Sequence, residues 1–226
     1  MTMKNLKEQK KYLKKWFNIT ADRYDTWSLQ KKFSRYEKGM QGISDGLRIE
    51  LNAVKKLMRM KKGDRVLDIA TGTGNYLIIA AQKGAICYGI DISSKILEVA
   101  KRKVKELNLK NVRELKIGDA DKIPYPNKFF DWITCIGMSE YYPIEHIKKI
   151  LLEFKRILKP NGKIVLDFSD INNLESYKFK KKSESVKTKI YLYTFRLIQK
   201  VINEMGLKIL KKQTRGFKIQ LLLQLK

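Results

Sequence analysis

The stretch Val66–Tyr76, VLDIATGTGNY, constrains the fold more than any other part of the chain. A short apolar strand ends in glycines at 72 and 74, and a helix pattern begins at once. Glycine lets the backbone approach a ligand closely, and the first turn of the helix offers unpaired amides to an anionic group. A strand that runs straight into a helix needs a crossover to its next neighbour, which is the repeating unit of a parallel sheet.

The chain around this loop repeats that unit. Arg65–Ala70 reads as the first strand, followed by a helix through Gln82 and a second strand, Ala85–Asp91. Ser93 is placed to cap a helix over Lys95–Leu107. Val112–Ile117 and Phe130–Ile136 read as the third and fourth strands, and Ile144–Leu158 has helical spacing. Pro160-Asn161-Gly162 marks a turn into a fifth strand, Lys163–Phe168. The Lys- and Ser-rich stretch Ser169–Lys189 reads as a long surface excursion on the substrate side. Tyr193–Met205 reads as a helix stopped by Gly206. Leu207–Gln213 and Phe217–Leu225, separated by Thr214-Arg215-Gly216, form a hairpin and are therefore antiparallel. The organisation expected is a helical cap over residues 1–60 and one α/β domain over 61–226.

In a parallel sheet, ligands bind beyond the carboxyl ends of the strands. Asp91 ends the second strand, 19 residues past Gly72, where a carboxylate can accept two hydrogen bonds from ribose hydroxyls. A nicotinamide site would use similar parts, but its third glycine or alanine falls on Leu77 here. Asp68 lies inside the first strand, an expensive place for a carboxylate. It serves as an acceptor holding the glycine loop, as part of a cofactor site, or as both.

Val66-Leu67-Asp68-Ile69-Ala70-Thr71-Gly72-Thr73-Gly74 resembles the first motif of class I S-adenosylmethionine-dependent methyltransferases. Further stretches match in order: Gly89-Ile90-Asp91-Ile92-Ser93, Gly118-Asp119-Ala120, Phe130-Asp131-Trp132-Ile133 and Leu158-Lys159-Pro160-Asn161-Gly162. Ala21-Asp22-Arg23-Tyr24-Asp25 is similar to an element that precedes many such domains. The ubiquinone/menaquinone-type enzymes are the nearest relatives recognised. The resemblance implies a doubly wound α/β fold, a seven-stranded mostly parallel sheet of order 3-2-1-4-5-7-6 with the last strand antiparallel. It implies S-adenosylmethionine as cofactor, held by Tyr24, Asp68, Ala70, Gly72, Thr73, Gly74, Asp91, Ile92, Asp119, Ala120 and Cys135. Asp91 would hold the ribose, while Asp119 and the next amide would read the adenine.

The acceptor side is less specific. Gly137–Tyr142 follows the fourth strand and supplies Glu140 as a candidate base, with Tyr141 and Tyr142 as pocket walls or core packing. The quinone-type pattern F-G-x-R-N is replaced here by Ile136-Gly137-Met138-Ser139-Glu140, and no (N/D)-P-P-(Y/F) element is present. His146 reads as a helix-surface residue. The expected acceptor is a small or lipid-like molecule, with RNA or another macromolecule as the alternative.

That alternative arises from charge. The 226 residues carry 49 Lys and Arg against 23 Asp and Glu, a net +26. Such a field attracts polyanions, yet Lys outnumbers Arg by 39 to 10, and Arg is the usual reader of phosphates. The segment Met1–Thr20 reads as a basic amphipathic helix, with Leu6, Leu13, Trp16 and Phe17 near one face. Either it packs its aromatic end over the domain or it docks to a membrane or nucleic acid. Cys87 and Cys135 make neither a disulfide framework nor a zinc spacing. No run is long enough to span a membrane, so a soluble cytoplasmic setting is expected.

Overall fold

The computed structural model describes residues 3–24, 45–184 and 189–225. Seven strands form one sheet in the order β3-β2-β1-β4-β5-β7-β6. They are β1 (Arg65–Ile69), β2 (Ile86–Asp91), β3 (Val112–Ile117), β4 (Phe130–Cys135), β5 (Leu158–Ser169), β6 (Leu207–Arg215) and β7 (Lys218–Leu225). The first five strands run parallel, and β7 inserts antiparallel between β5 and β6. This is the order and polarity the resemblance implies.

The helices are α1 (Met3–Thr20), α2 (Asp45–Leu57), α3 (Asn75–Gln82), α4 (Ser94–Glu106), α5 (Ile144–Ile157), α6 (Leu174–Glu184) and α7 (Phe195–Glu204). Strand side chains alternate between two faces. In β1, Leu67 and Ile69 enter the larger core with Ile147, Ile150 and Phe154 of α5. Val66 points the other way, into a second core with Val54 and Leu57 of α2 and Leu77 of α3. Both faces are therefore covered, as a central parallel sheet requires.

Four local expectations are corrected. Strand β5 begins at Leu158, and Pro160-Asn161-Gly162 forms a bulge within it, not a turn before it. Phe130 pairs with Leu158 and Trp132 with Lys163, so residues 159–162 loop out. Gly162 is needed there because a Cβ would lie 2.5 Å from Leu158. The Ser169–Lys189 excursion contains helix α6. Helix α7 starts at Phe195, because Thr194 accepts the Leu197 amide as an N-cap and Tyr193 bridges to Asp170 as extended chain. The hairpin closes through Gly216 and Phe217, since Arg215 already pairs with Lys218.

The C-terminal end of helix α1 is tied to α4. The Ser93 hydroxyl donates to Asn18 Oδ1 at 2.6 Å while accepting the Ile96 amide at 3.2 Å. One serine thus caps α4 and ties α1 to the turn after Asp91. Ala21 and Phe17 pack against Ile96 and Val99 of α4. The aromatic end of α1 lies over the domain, the first of the two packing options. Among the described residues, no helix is long and apolar enough to cross a membrane.

Candidate cofactor and acceptor site

A cleft of about 600 Å³ opens beyond the carboxyl ends of β1, β2 and β4. Ala70, Gly72, Asp91, Ile92, Asp119 and Ala120 line one side. Tyr24, Tyr141 and Tyr142 line it as well, so nine of the residues singled out in the sequence converge on one cavity. Asp68, Thr73, Gly74, Cys135 and Glu140 are not part of its lining.

The glycine loop has a left-handed backbone at Ala70 (φ 53°), Gly72 (φ 54°) and Gly74 (φ 84°). Ala70 has a Cβ and so stores strain, a feature found where ligand loops are over-determined by their surroundings. A Cβ on Gly72 would have no neighbour closer than 3.9 Å. Gly74 instead faces α4, where a Cβ would meet Ala100 at 3.2 Å. Gly72 opens the cleft, and Gly74 lets the loop pack.

Asp91 is held by two backbone donors. Its Oδ2 accepts the Gly72 amide and its Oδ1 the Ser93 amide, each at 2.9 Å. Each oxygen keeps a second lone pair, so the carboxylate can still accept a pair of hydroxyls. Burial raises its pKa, and the backbone amides of Ser93, Gly72 and Ile92 oppose that shift.

Asp68 is buried, and its Oδ1 accepts a hydrogen bond from the hydroxyl of Thr134, its cross-strand partner. Burial pushes its carboxyl up to about 7, against the pull of Thr134 and the Leu77 amide. The Asp68 carbonyl accepts the Thr71 hydroxyl at 2.8 Å. Side chain and backbone together anchor the loop between β1 and β4.

The far end carries a charge cluster that the sequence did not suggest. Lys10 of α1 reaches Asp119 Oδ2 at 2.6 Å and Asp121 Oδ2 at 2.8 Å. His146 Nε2 lies 3.2 Å from Asp121, and its ring stacks on Tyr142 at 5.0 Å. His146 is therefore buried, correcting the surface assignment; the face of α5 that carries it is covered by α1 and the loop after β3. Burial lowers its pKa, and Lys10 adds to that. Burial alone would raise Asp121, but the hydrogen bond and charge of Lys10 hold it below the usual carboxylate range.

At the opposite end, Phe17 stands edge-on to Tyr24 and Tyr141, with ring centroids at 5.9 and 6.1 Å. Gly137 and Met138, from the segment assigned to the acceptor side, also line the cleft, as do Leu13 and Phe17, which were not among the site residues picked from the sequence. Burial raises the phenols of Tyr24, Tyr141 and Tyr142, so these side chains stay protonated and act as walls and donors. The Cys135 thiol is likewise pushed well up by burial, then by Asp167, Asp68 and Glu140. It has no thiolate to offer as a nucleophile. Glu140 Oε1 accepts from Lys218 at 2.6 Å, with Asp167 Oδ2 3.3 Å from the same ammonium. Burial pushes the Asp167 carboxyl up to about 7, although Lys218 opposes this.

Residues 60–215 match the family model described as a methyltransferase domain. A demethylmenaquinone methyltransferase of Listeria welshimeri is 36% identical over 127 residues, covering 54% of this chain and 52% of that protein. The chain thus spans about half the length of that relative. Among solved structures, magnesium protoporphyrin IX methyltransferase from Synechocystis, with bound S-adenosylhomocysteine, superposes with a TM-score of 0.72. It is 20% identical over 96% of this chain and 100% of that one. The [4+2]-cyclase SpnF superposes at 0.73 with 14% identity, over 94% of each chain, so the fold itself accommodates different chemistry. With the family model covering most of the chain and the sheet order matching, the protein belongs to the methyltransferase domain family.

Proposed function

We propose that the chain is an S-adenosylmethionine-dependent methyltransferase acting on a small-molecule acceptor. The observation that carries this reading is one cleft combining a ligand-ready Asp91, an open Gly72, a carboxylate at Asp119 and an aromatic trio. These residues fit the cofactor group by group. Asp91 has two lone pairs for ribose hydroxyls, and Asp119 with the Ala120 amide faces the adenine end. Phe17, Tyr24 and Tyr141 would surround the sulfonium, whose charge the faces of aromatic rings attract. When bound, the cofactor supplies an electrophilic methyl group.

The chain's own contribution is placement and exclusion of water. Transfer needs the acceptor atom about 3 Å from the methyl carbon and in line with the breaking bond. Leu13 and Phe17 of α1 roof the cleft, which favours an acceptor that fits beneath a lid over an extended polymer. The Listeria relative is a demethylmenaquinone methyltransferase. This chain differs from the quinone-type pattern at Ile136–Glu140, so the reading stays at the level of a small molecule. The two described thiols, Cys87 and Cys135, are buried and free, which suits a reducing cytoplasmic setting.

Labelled S-adenosylmethionine binding tests the reading directly. The full chain is expected to bind it, and Asp91→Ala to weaken binding at least tenfold, or about 1.4 kcal/mol. A chain that bound NADH in its place would remove the proposal.

A further inference from the structure

Among the described residues, four of the seven buried polar side-chain atoms without a hydrogen-bond partner lie in one patch. They are Glu140 Oε2, Asp167 Oδ2, Ser169 Oγ and Gln220 Nε2. Their residues are between 0% and 4% exposed. Folded proteins leave few such atoms, because each costs the desolvation of a polar group with nothing in return. A concentration of them marks a place where something else completes the bonding.

The register explains why they meet. Asp167 of β5 pairs with Gln220 of β7, and Ser169 pairs with Lys218, so all four share one sheet face. Lys218 then ties Glu140, from the turn after β4, to Asp167. On the same face, Val165 and Leu222 pack against α2, so the patch is the polar continuation of an apolar floor. It adjoins the cleft through Gly137, whose amide donates to Asp167 Oδ1 at 2.8 Å and whose backbone lines the cavity. A Cβ on Gly137 would meet nothing within 4 Å, so there is open space beside this junction.

The chemistry of these atoms selects a ligand. Glu140 Oε2 can only accept, and so can Asp167 Oδ2, which faces Lys218 at 3.3 Å without a hydrogen bond; the Gln220 amide nitrogen can only donate, and the Ser169 hydroxyl can do either. Two carboxylates against one ammonium leave the patch net negative when both are ionised. Glu50, held by the Tyr76 hydroxyl at 2.8 Å, adds a further carboxylate nearby. An anionic group is repelled here, and a group that donates protons is drawn in. The local sign is thus opposite to that of the whole chain.

We propose that Glu140, Asp167, Ser169 and Gln220 form the floor of the methyl-acceptor subsite, and that it takes an acceptor presenting a hydroxyl or amine. The inference rests on the methyltransferase reading, and Lys218 is a positioning residue that holds the two carboxylates together. Ordered water is the competing occupant.

The test uses the full chain saturated with S-adenosylhomocysteine and three probes of one shape: benzylamine, benzyl alcohol and benzoate. Ligand-observed NMR at millimolar concentration gives their affinities. Benzylamine is expected to bind at least tenfold tighter than benzoate. Glu140→Gln, which turns an accepting oxygen into a donor, is expected to bring that ratio below threefold with S-adenosylhomocysteine affinity unchanged within threefold. Gln220→Leu, which keeps the carboxylates, is expected to weaken benzyl alcohol and spare benzylamine. Should Glu140→Gln not fold, this second variant decides the matter. Equal or tighter binding of benzoate, no binding of any probe, or variants indistinguishable from wild type would each overturn the subsite. Failure to bind S-adenosylhomocysteine removes the methyltransferase reading itself, a result seen before any probe is added.

Discussion

Asp68 pairs with Gly89 of the neighbouring strand, two residues short of Asp91, and the surroundings of the two carboxyls differ. Asp91 borders the cleft, whereas Asp68 is sealed between β1 and β4 with its carboxyl pushed up to about 7. A carboxyl raised in the folded state is protonated there while the unfolded chain has already released its proton. Between about pH 4 and 7 the native state therefore binds more protons, and stability falls as pH rises through that window. Asp68→Asn keeps an acceptor for Thr134 and removes the titration. Urea unfolding of the cofactor-free chain should find the variant about 1–3 kcal/mol more stable than wild type at pH 8, after discounting the full shift. At pH 5 the difference should shrink to under half and below pH 4 it should vanish, and an equal difference at pH 8 and pH 4 would show that Asp68 does not titrate. Asp167 behaves in the same sense but has Lys218 beside it. Removing that partner in Lys218→Met strands two buried carboxyls, and a loss of about 3–5 kcal/mol at pH 8 is expected from the urea midpoint.

At the scale of elements, α1 does more than cover the fold. It places Lys10 against Asp119 at one end of the cleft, Leu13 along its lining, and Phe17 against Tyr24 and Tyr141. Its end is fixed to α4 through Asn18 and Ser93, directly after Asp91. The proposed cofactor site therefore couples cofactor affinity to α1 docking. Truncation of residues 1–18 should weaken S-adenosylhomocysteine binding at least tenfold by calorimetry. Phe17→Ala, which leaves the helix in place, should cost about 1–2 kcal/mol of that affinity through lost ring contacts. An unchanged affinity in both would make α1 a part of the scaffold only. The loop after β3 is fixed separately, by Arg156 donating to the carbonyls of Ile123 and Tyr125 at 2.8 Å each. That clamp stabilises the segment just after Asp119 and Ala120 independently of α1.

At the scale of the whole molecule, exposed basic side chains among the described residues lie on several elements. Lys208, Lys211, Lys212 and Arg215 are exposed on β6, one edge of the sheet, and Arg113 is exposed on β3, the other. Charge on edge strands blocks edge-to-edge pairing with other chains, so part of the +26 has a structural use. Lys7, Lys11, Lys14 and Lys15 add charge to the outer side of α1. A dispersed Lys-rich surface should hold RNA weakly, without regard to sequence, and release it steeply with salt. Filter binding of two unrelated RNAs is expected to agree within threefold. A preference above tenfold would bring nucleic acid back as an acceptor.

The strand–glycine–helix repeat, the strand order implied by the motifs, and Gly72 with Asp91 were readable from the chain alone. Each depends on neighbours close in sequence: a φ that favours glycine, a carboxylate that ends its strand, a helix that follows at once. The bulge at Pro160–Gly162, the cap at Thr194 and the burial of His146 were not, because each is decided by what packs against it. Phe17, Lys10 and Lys218 belong to this second group. Their neighbours in space lie on distant elements, and a lysine bound for a buried carboxylate pair reads, in sequence, like any of the 38 others. The glycine loop by itself marked a candidate ligand site beyond β1. Only the tertiary structure decided what closes over that cleft and which buried polar atoms are left without hydrogen bonds beside it, since both follow from packing across the sheet.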